Sequence, residues 1–127
     1  MKDLTTLAGR VLLAHIFLLA GITKITGYAG TQGYMEAMGV PGILLPLVIL
    51  LEVGGGLALI LGWQARWAAL TLALFSLAAA AIFHTNFADQ MQGIMFMKNL
   101  AIAGGLLLVS AHGPGAWSLD ARAGRAG

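Results

Sequence analysis

Polar positions are not spread along this chain; they collect at the edges of four long apolar runs, at about residues 7–25, 43–61, 67–87 and 94–111. Each run is near the roughly 20 residues that a helix rising about 1.5 Å per residue needs to cross about 30 Å of hydrocarbon. The pattern predicts an all-α fold, a polytopic membrane four-helix bundle forming one domain over residues 1–127. The breaks carry turn chemistry. "TGYAGTQGYMEAMGVPG" mixes Gly, Tyr and Pro and cannot continue as a lipid-exposed helix, although its "TQGYMEAMG" centre suits a short interfacial helix. "GWQAR" is tight, which makes the second and third spans antiparallel neighbours.

The first run reads as a span that is retained. "MKDL" is a weak leader start, Arg10 interrupts it, and "GITKITGYAG" lacks a small-residue cleavage pattern. No internal repeat makes the chain two copies of a hairpin. Lys2, Arg10, Arg66, Arg122 and Arg125 fall on one side of a four-span topology, whereas the other side has Lys24 and Lys98. The positive-inside rule therefore predicts that both termini face the cytoplasm.

Composition agrees with this reading. The chain is 59% hydrophobic and 9% charged, with 18 glycines, and its mean hydropathy is +0.88. Soluble domains carry about 25% charged residues, so a soluble fold could not cover its surface with this supply. There is no cysteine, which excludes disulfides and thiolate metal sites within the chain. The net charge of +2 is scattered, and no basic stretch points to nucleic acid. The lipid bilayer is the expected partner.

The candidate chemistry starts with Glu52, alone in "LPLVILLEVGGGLALILG". A carboxylate at the centre of a span costs roughly 2.5 to 3.5 kcal/mol on insertion scales, so it calls for a partner. Counting residues from the span ends puts His15 at a similar depth and Arg10 within reach, so a buried polar group of Glu52 with Arg10 or His15 is expected. Such a pair either handles a proton or ligand or fixes helix register. Gly55 and Gly56 share the Glu52 face, and Gly105 follows Lys98 at i+7, which lets a partner backbone approach each charge.

Lys24, His84, Asn86, Lys98 and Asn99, together with Asp89, fall near one level at the other end of the spans. They could line a pocket for a polar headgroup or small anion, with the lysines alternatively snorkelling to water. His84 either hydrogen-bonds a ligand carbonyl or, as such a histidine more often does, caps a helix end or meets water. His15, His84 and His112 share no level, which argues against haem. Met95 and Met97 in "MQGIMFM" face different sides of a helix, so packing is favoured over copper and no metal site is read. Trp63, Trp67 and Trp117 suit an interfacial belt. Asp120 in "SLD" either caps a helix or pairs with Arg122.

The stretches "IFLLAGITKITGYAG", "YMEAMGVPG", "PLVILLEVGGGLALILG", "FHTNF", "MFMKNLAIAGG" and "GPGAWSLD", in this order and spacing, resemble the DoxX family of small four-helix membrane proteins. The resemblance covers nearly the whole chain. It implies a bacterial inner-membrane location and an oxidoreductase-associated role. Members have been linked to quinone-coupled sulfur oxidation and to assemblies with thiol oxidoreductases and superoxide dismutase, while many have no assigned activity. The family's recurring polar positions correspond to Arg10, Lys24, Glu52, His84, Lys98 and Asn99.

Three functions are consistent with these residues. The first is an accessory subunit that binds a quinone and serves a soluble oxidoreductase partner. The second is a structural or assembly module without a bound ligand. The third, ranked last, is a small transporter, which four helices could form as a homo-oligomer. No nucleophile with an adjacent base, phosphate loop or metal-ligand spacing marks a self-contained catalytic site.

Overall fold

The computed structural model describes residues 1–124. The expected position of Arg125 lies outside the described residues. Four helices are long and apolar enough to span a membrane: α1 (Lys2–Thr26), α3 (Leu45–Leu61), α4 (Ala65–Phe83) and α5 (Gln90–His112). A short α2 (Tyr28–Ala37) follows α1, a 3₁₀ turn (Gly42–Leu44) leads into α3, and α6 (Leu119–Arg122) closes the described chain.

The helix ends follow local chemistry rather than hydropathy. α4 stops at Phe83, four residues before the apolar run ends, because residues 84–89 form turns in which Asn86 accepts from the Asp89 amide at 3.1 Å. α5 starts at Gln90, four residues before its apolar run, because the Asp89 side chain accepts from the Met91 amide at 3.0 Å and caps it. α3 has Pro46 in its first turn, where a missing N–H costs nothing, and ends at Gly62 with φ 70°.

Helices α1 and α3 form one antiparallel pair and α4 and α5 another; these two contacts are the most extensive in the fold. In the first pair the backbones nearly touch. A Cβ on Gly56 would lie 3.1 Å from the Leu18 amide nitrogen and 3.2 Å from the Ala14 carbonyl, while one on Gly21 would lie 3.2 Å from the Val53 nitrogen. Close approach at small residues is how helices associate where lipid offers no hydrophobic driving force. In the second pair Arg66 donates to the Ser110 and Ala111 carbonyls, at 3.3 and 2.8 Å, and His84 Nδ1 meets Gln92 Oε1 at 2.9 Å at the opposite end.

The N-terminus, the segment after α5 and the α3–α4 turn lie at one end of the bundle, termed here the terminal end; the other is the α2 end. Between the pairs, the terminal half is filled by an apolar core that includes Ala14, Leu59, Ala69, Leu72, Ala73 and Leu106. Trp63, Trp67 and Trp117 are more than half exposed around the terminal end, as an aromatic belt requires.

Candidate functional site

Glu52 is 4% exposed on its side chain, and its Oε1 lies 2.8 Å from Lys24 Nζ. The expected pairing with Arg10 or His15 is therefore corrected, and the cause is register. Gly21 packs on Glu52 and Val53, and Gly56 on Ala14 and Leu18. That alignment sets Arg10 beside Gly62, whose Cβ would lie 3.3 Å from the guanidinium carbon. Gly62 is ten residues, or about 15 Å of helix, from Glu52. His15 is exposed on the lipid-facing side, and its Nδ1 meets the Leu12 carbonyl at 2.5 Å. Lys24 starts one turn nearer the α2 end than Gly21. Helical side chains lean toward the N-terminus, so its long stem returns over Gly21 to reach the carboxylate.

Arg10 has a different task. It is 3% exposed, and it donates from Nη1 to the Pro114 carbonyl at 2.5 Å and from Nη2 to the Trp117 and Ile60 carbonyls at 3.0 and 3.2 Å. Asp120 attracts it electrostatically. The same carboxylate accepts from the Gln64 and Ala65 amides at 2.8 and 2.9 Å, capping the start of α4. Gln64 sits there at φ 49°, an uncommon conformation for a residue other than glycine. Arg10 and Asp120 thus bind the segment after α5 to the α3–α4 turn. The sequence offered capping as one reading of Asp120; the helix it caps comes from a segment 55 residues earlier.

Between the two helix pairs, in the α2 half, lies a cavity of about 470 Å³. Its walls are mainly apolar: Ile16, Phe17 and Ala20 from α1, Val48 from α3, Phe75, Ala79 and Ile82 from α4, and Met95 and Ile102 from α5. Lys24, Glu52, Ser76, His84 and Asn99 supply polar groups, and Thr31 and Tyr34 of α2 cover the end. Tyr34 stacks on Phe83 with centroids 5.4 Å apart, tying α2 to the end of α4. A second space of about 520 Å³ lies by Lys2, Asp3 and His112 at the terminal end, and no buried polar side chain faces it.

One member of the first polar group read from the sequence therefore joins part of the second in a single site. Lys24, His84 and Asn99 converge with Glu52 on the cavity, whereas Asn86 and Lys98 do not line it and are exposed. Lys98 points away from the cavity because it precedes Asn99 by one position, about 100° around the helix. Ser76 was missed. The available signal was a lone hydroxyl in the apolar stretch "LALFSLAAAA".

Comparison with known proteins places this architecture. The DoxX family model matches residues 5–85. The chain is 57% identical over 120 residues to the inner membrane protein YqjF of Escherichia coli (strain K12), covering 94% of this chain and 92% of that protein. It is 36% identical over 128 residues to the inner membrane protein YphA of the same organism, covering 95% and 91%. No solved structure gives a significant match.

Proposed function

The chain belongs to the DoxX family and is a multi-pass protein of the bacterial inner membrane, and from that premise we propose that it is an accessory subunit holding a small membrane-soluble ligand in the cavity between its helix pairs. The observation that carries this reading is the Lys24–Glu52 ion pair set in the wall of an apolar cavity beside Asn99 and His84. Ligand sites have this character, mostly apolar with a few convergent polar groups that fix orientation. Ionisable groups inside a membrane are costly, and where they occur they tend to serve a ligand or a proton path.

An isoprenoid quinone is the ligand class we favour, since its ring suits a partly polar cavity and its tail suits lipid. In this reading the redox chemistry belongs to a soluble oxidoreductase partner, and the chain's own residues bind and orient the ligand. Lys2, Arg10, Arg66 and Arg122 gather at the terminal end, which supports a cytoplasmic location for both termini, and in that orientation the cavity would lie in the periplasmic half.

A second reading has its own support. The 2.8 Å ion pair and the backbone contacts at Gly21 and Gly56 also lock α1 to α3, as a purely structural module would require. Solvent extraction of the protein in native-lipid nanodiscs separates the two. Quinone per protein is expected to exceed that of an unrelated four-helix control in wild type and to fall to its level in Glu52→Gln. Equal background in all three would favour the structural module.

A further inference from the structure

Each of the four spans brings one polar side chain to a common level of the bundle. Gly55 abuts Leu72. Glu52 precedes Gly55 by three residues on α3, and Ser76 follows Leu72 by four on α4, displacements of about 4.5 and 6 Å toward the α2 end. Likewise Gly105 abuts Leu13, and Gly21 abuts Glu52. Asn99 precedes Gly105 by six residues and Gly21 follows Leu13 by eight, about 9 and 12 Å toward the same end. Glu52, Ser76 and Asn99 therefore lie within about one helical turn of one another, and Lys24 reaches that level through its ion pair.

Thr71, on the same helix as Ser76, returns its hydroxyl to the Trp67 carbonyl at 2.8 Å. Neither Ser76, only 3% exposed, nor Asn99 makes a side-chain hydrogen bond among the described residues. Both line the cavity. Lipid tails offer an amide or a hydroxyl no hydrogen bond at this depth, whereas an occupant of the cavity with a polar atom does.

The geometry points to Ser76 and Asn99 as the selecting face of the cavity, which takes the oxygen of an uncharged and otherwise apolar molecule. The inference rests on the cavity being a ligand site. Selection against charge follows from the ion pair, because Lys24 and Glu52 neutralise each other at 2.8 Å. An incoming anion or cation would leave one charge uncompensated in a low-dielectric site. A carbonyl or hydroxyl oxygen asks only for hydrogen bonds, which the Asn99 amide and the Ser76 hydroxyl supply.

The test is equilibrium binding to the protein in nanodiscs, corrected for partition into empty discs, with two probes sharing a decyl chain. One is a decyl-substituted benzoquinone and the other is decyl sulfonate. Wild type should bind the quinone at least tenfold more tightly than the sulfonate. Ser76→Ala with Asn99→Leu should weaken quinone binding about tenfold, as expected for two hydrogen bonds. Ser76→Thr, which keeps the hydroxyl, should bind as wild type does and guards against a misfolded double variant. Equal affinity for the sulfonate, or unchanged quinone affinity in the double variant, would overturn the selection while leaving the cavity reading intact. Binding of neither probe by wild type would overturn both.

Discussion

Lys24 and Glu52 sit on antiparallel helices at levels about three residues apart, yet Nζ and Oε1 meet at 2.8 Å because the lysine folds back over Gly21. The contact makes one polar unit of two charges that hydropathy alone assigns to different depths.

That unit should behave as a coupled pair. Lys24→Met leaves a buried carboxylate without its counter-charge and is expected to destabilise the bundle by about 2 kcal/mol, below the full range for buried pairs because Lys24 is 27% exposed. Lys24→Met with Glu52→Met should recover most of the loss. Reversible unfolding in mixed micelles measures the cycle, and additive losses would argue against coupling.

The α1–α3 contact tolerates no side chain at Gly21. A Cβ there would lie 2.5 Å from Val53 Cγ2 and 3.3 Å from Glu52 Cβ. Gly21→Val should push the helices apart, costing about 1–3 kcal/mol and loosening the ion pair. Gly54→Ala, two residues from Glu52 where a Cβ meets nothing within 4 Å, is the matched control and should fold as wild type does. The same unfolding assay reads both.

At the terminal end the expected consequences are mechanical. Asp120→Ala removes the carboxylate that accepts from Gln64 and Ala65 and should cost about 0.5–2 kcal/mol. Arg10→Leu should release the segment around Pro114 and Trp117 as well. Both variants should be cleaved faster by protease after residue 112 and should keep the ligand occupancy of wild type. Loss of ligand in either would place the clamp within the site.

The existence of four spans was legible in the sequence, because an apolar run of membrane length has few other uses. Which faces meet was not. Lipid and protein core are both apolar, so hydropathy does not distinguish the face of α1 that carries Gly21 from the face that carries His15. Residue counting from the span ends also misaligned the helices. It could not anticipate that Gly21 and Gly56 set the register and move Arg10 away from Glu52. Of the second group, Lys24, His84 and Asn99 were recognisable as polar groups of one end. Lys98 shared the level but not the face, a distinction of about 100° per residue that needs a known neighbour, and Asn86 falls in the turns between α4 and α5.

The charge distribution gives a prediction about topology. Fluorescent-protein fusions to either terminus should be bright and alkaline-phosphatase fusions inactive, with the reverse for insertions into the segment between α1 and α3. Active phosphatase at the C-terminus would turn the bundle over and place the cavity in the cytoplasmic half.

The most direct measurement fills the cavity without touching its charges. Ala20 lines the cavity on α1, one turn from Lys24, and Ala20→Phe puts a ring where the ligand is held to sit. Native mass spectrometry of protein released from its own membranes should show a bound non-phospholipid mass on wild type that is absent from the Ala20→Phe protein, with both eluting as folded species. An identical spectrum for the two would contradict the assignment of the cavity as a ligand site.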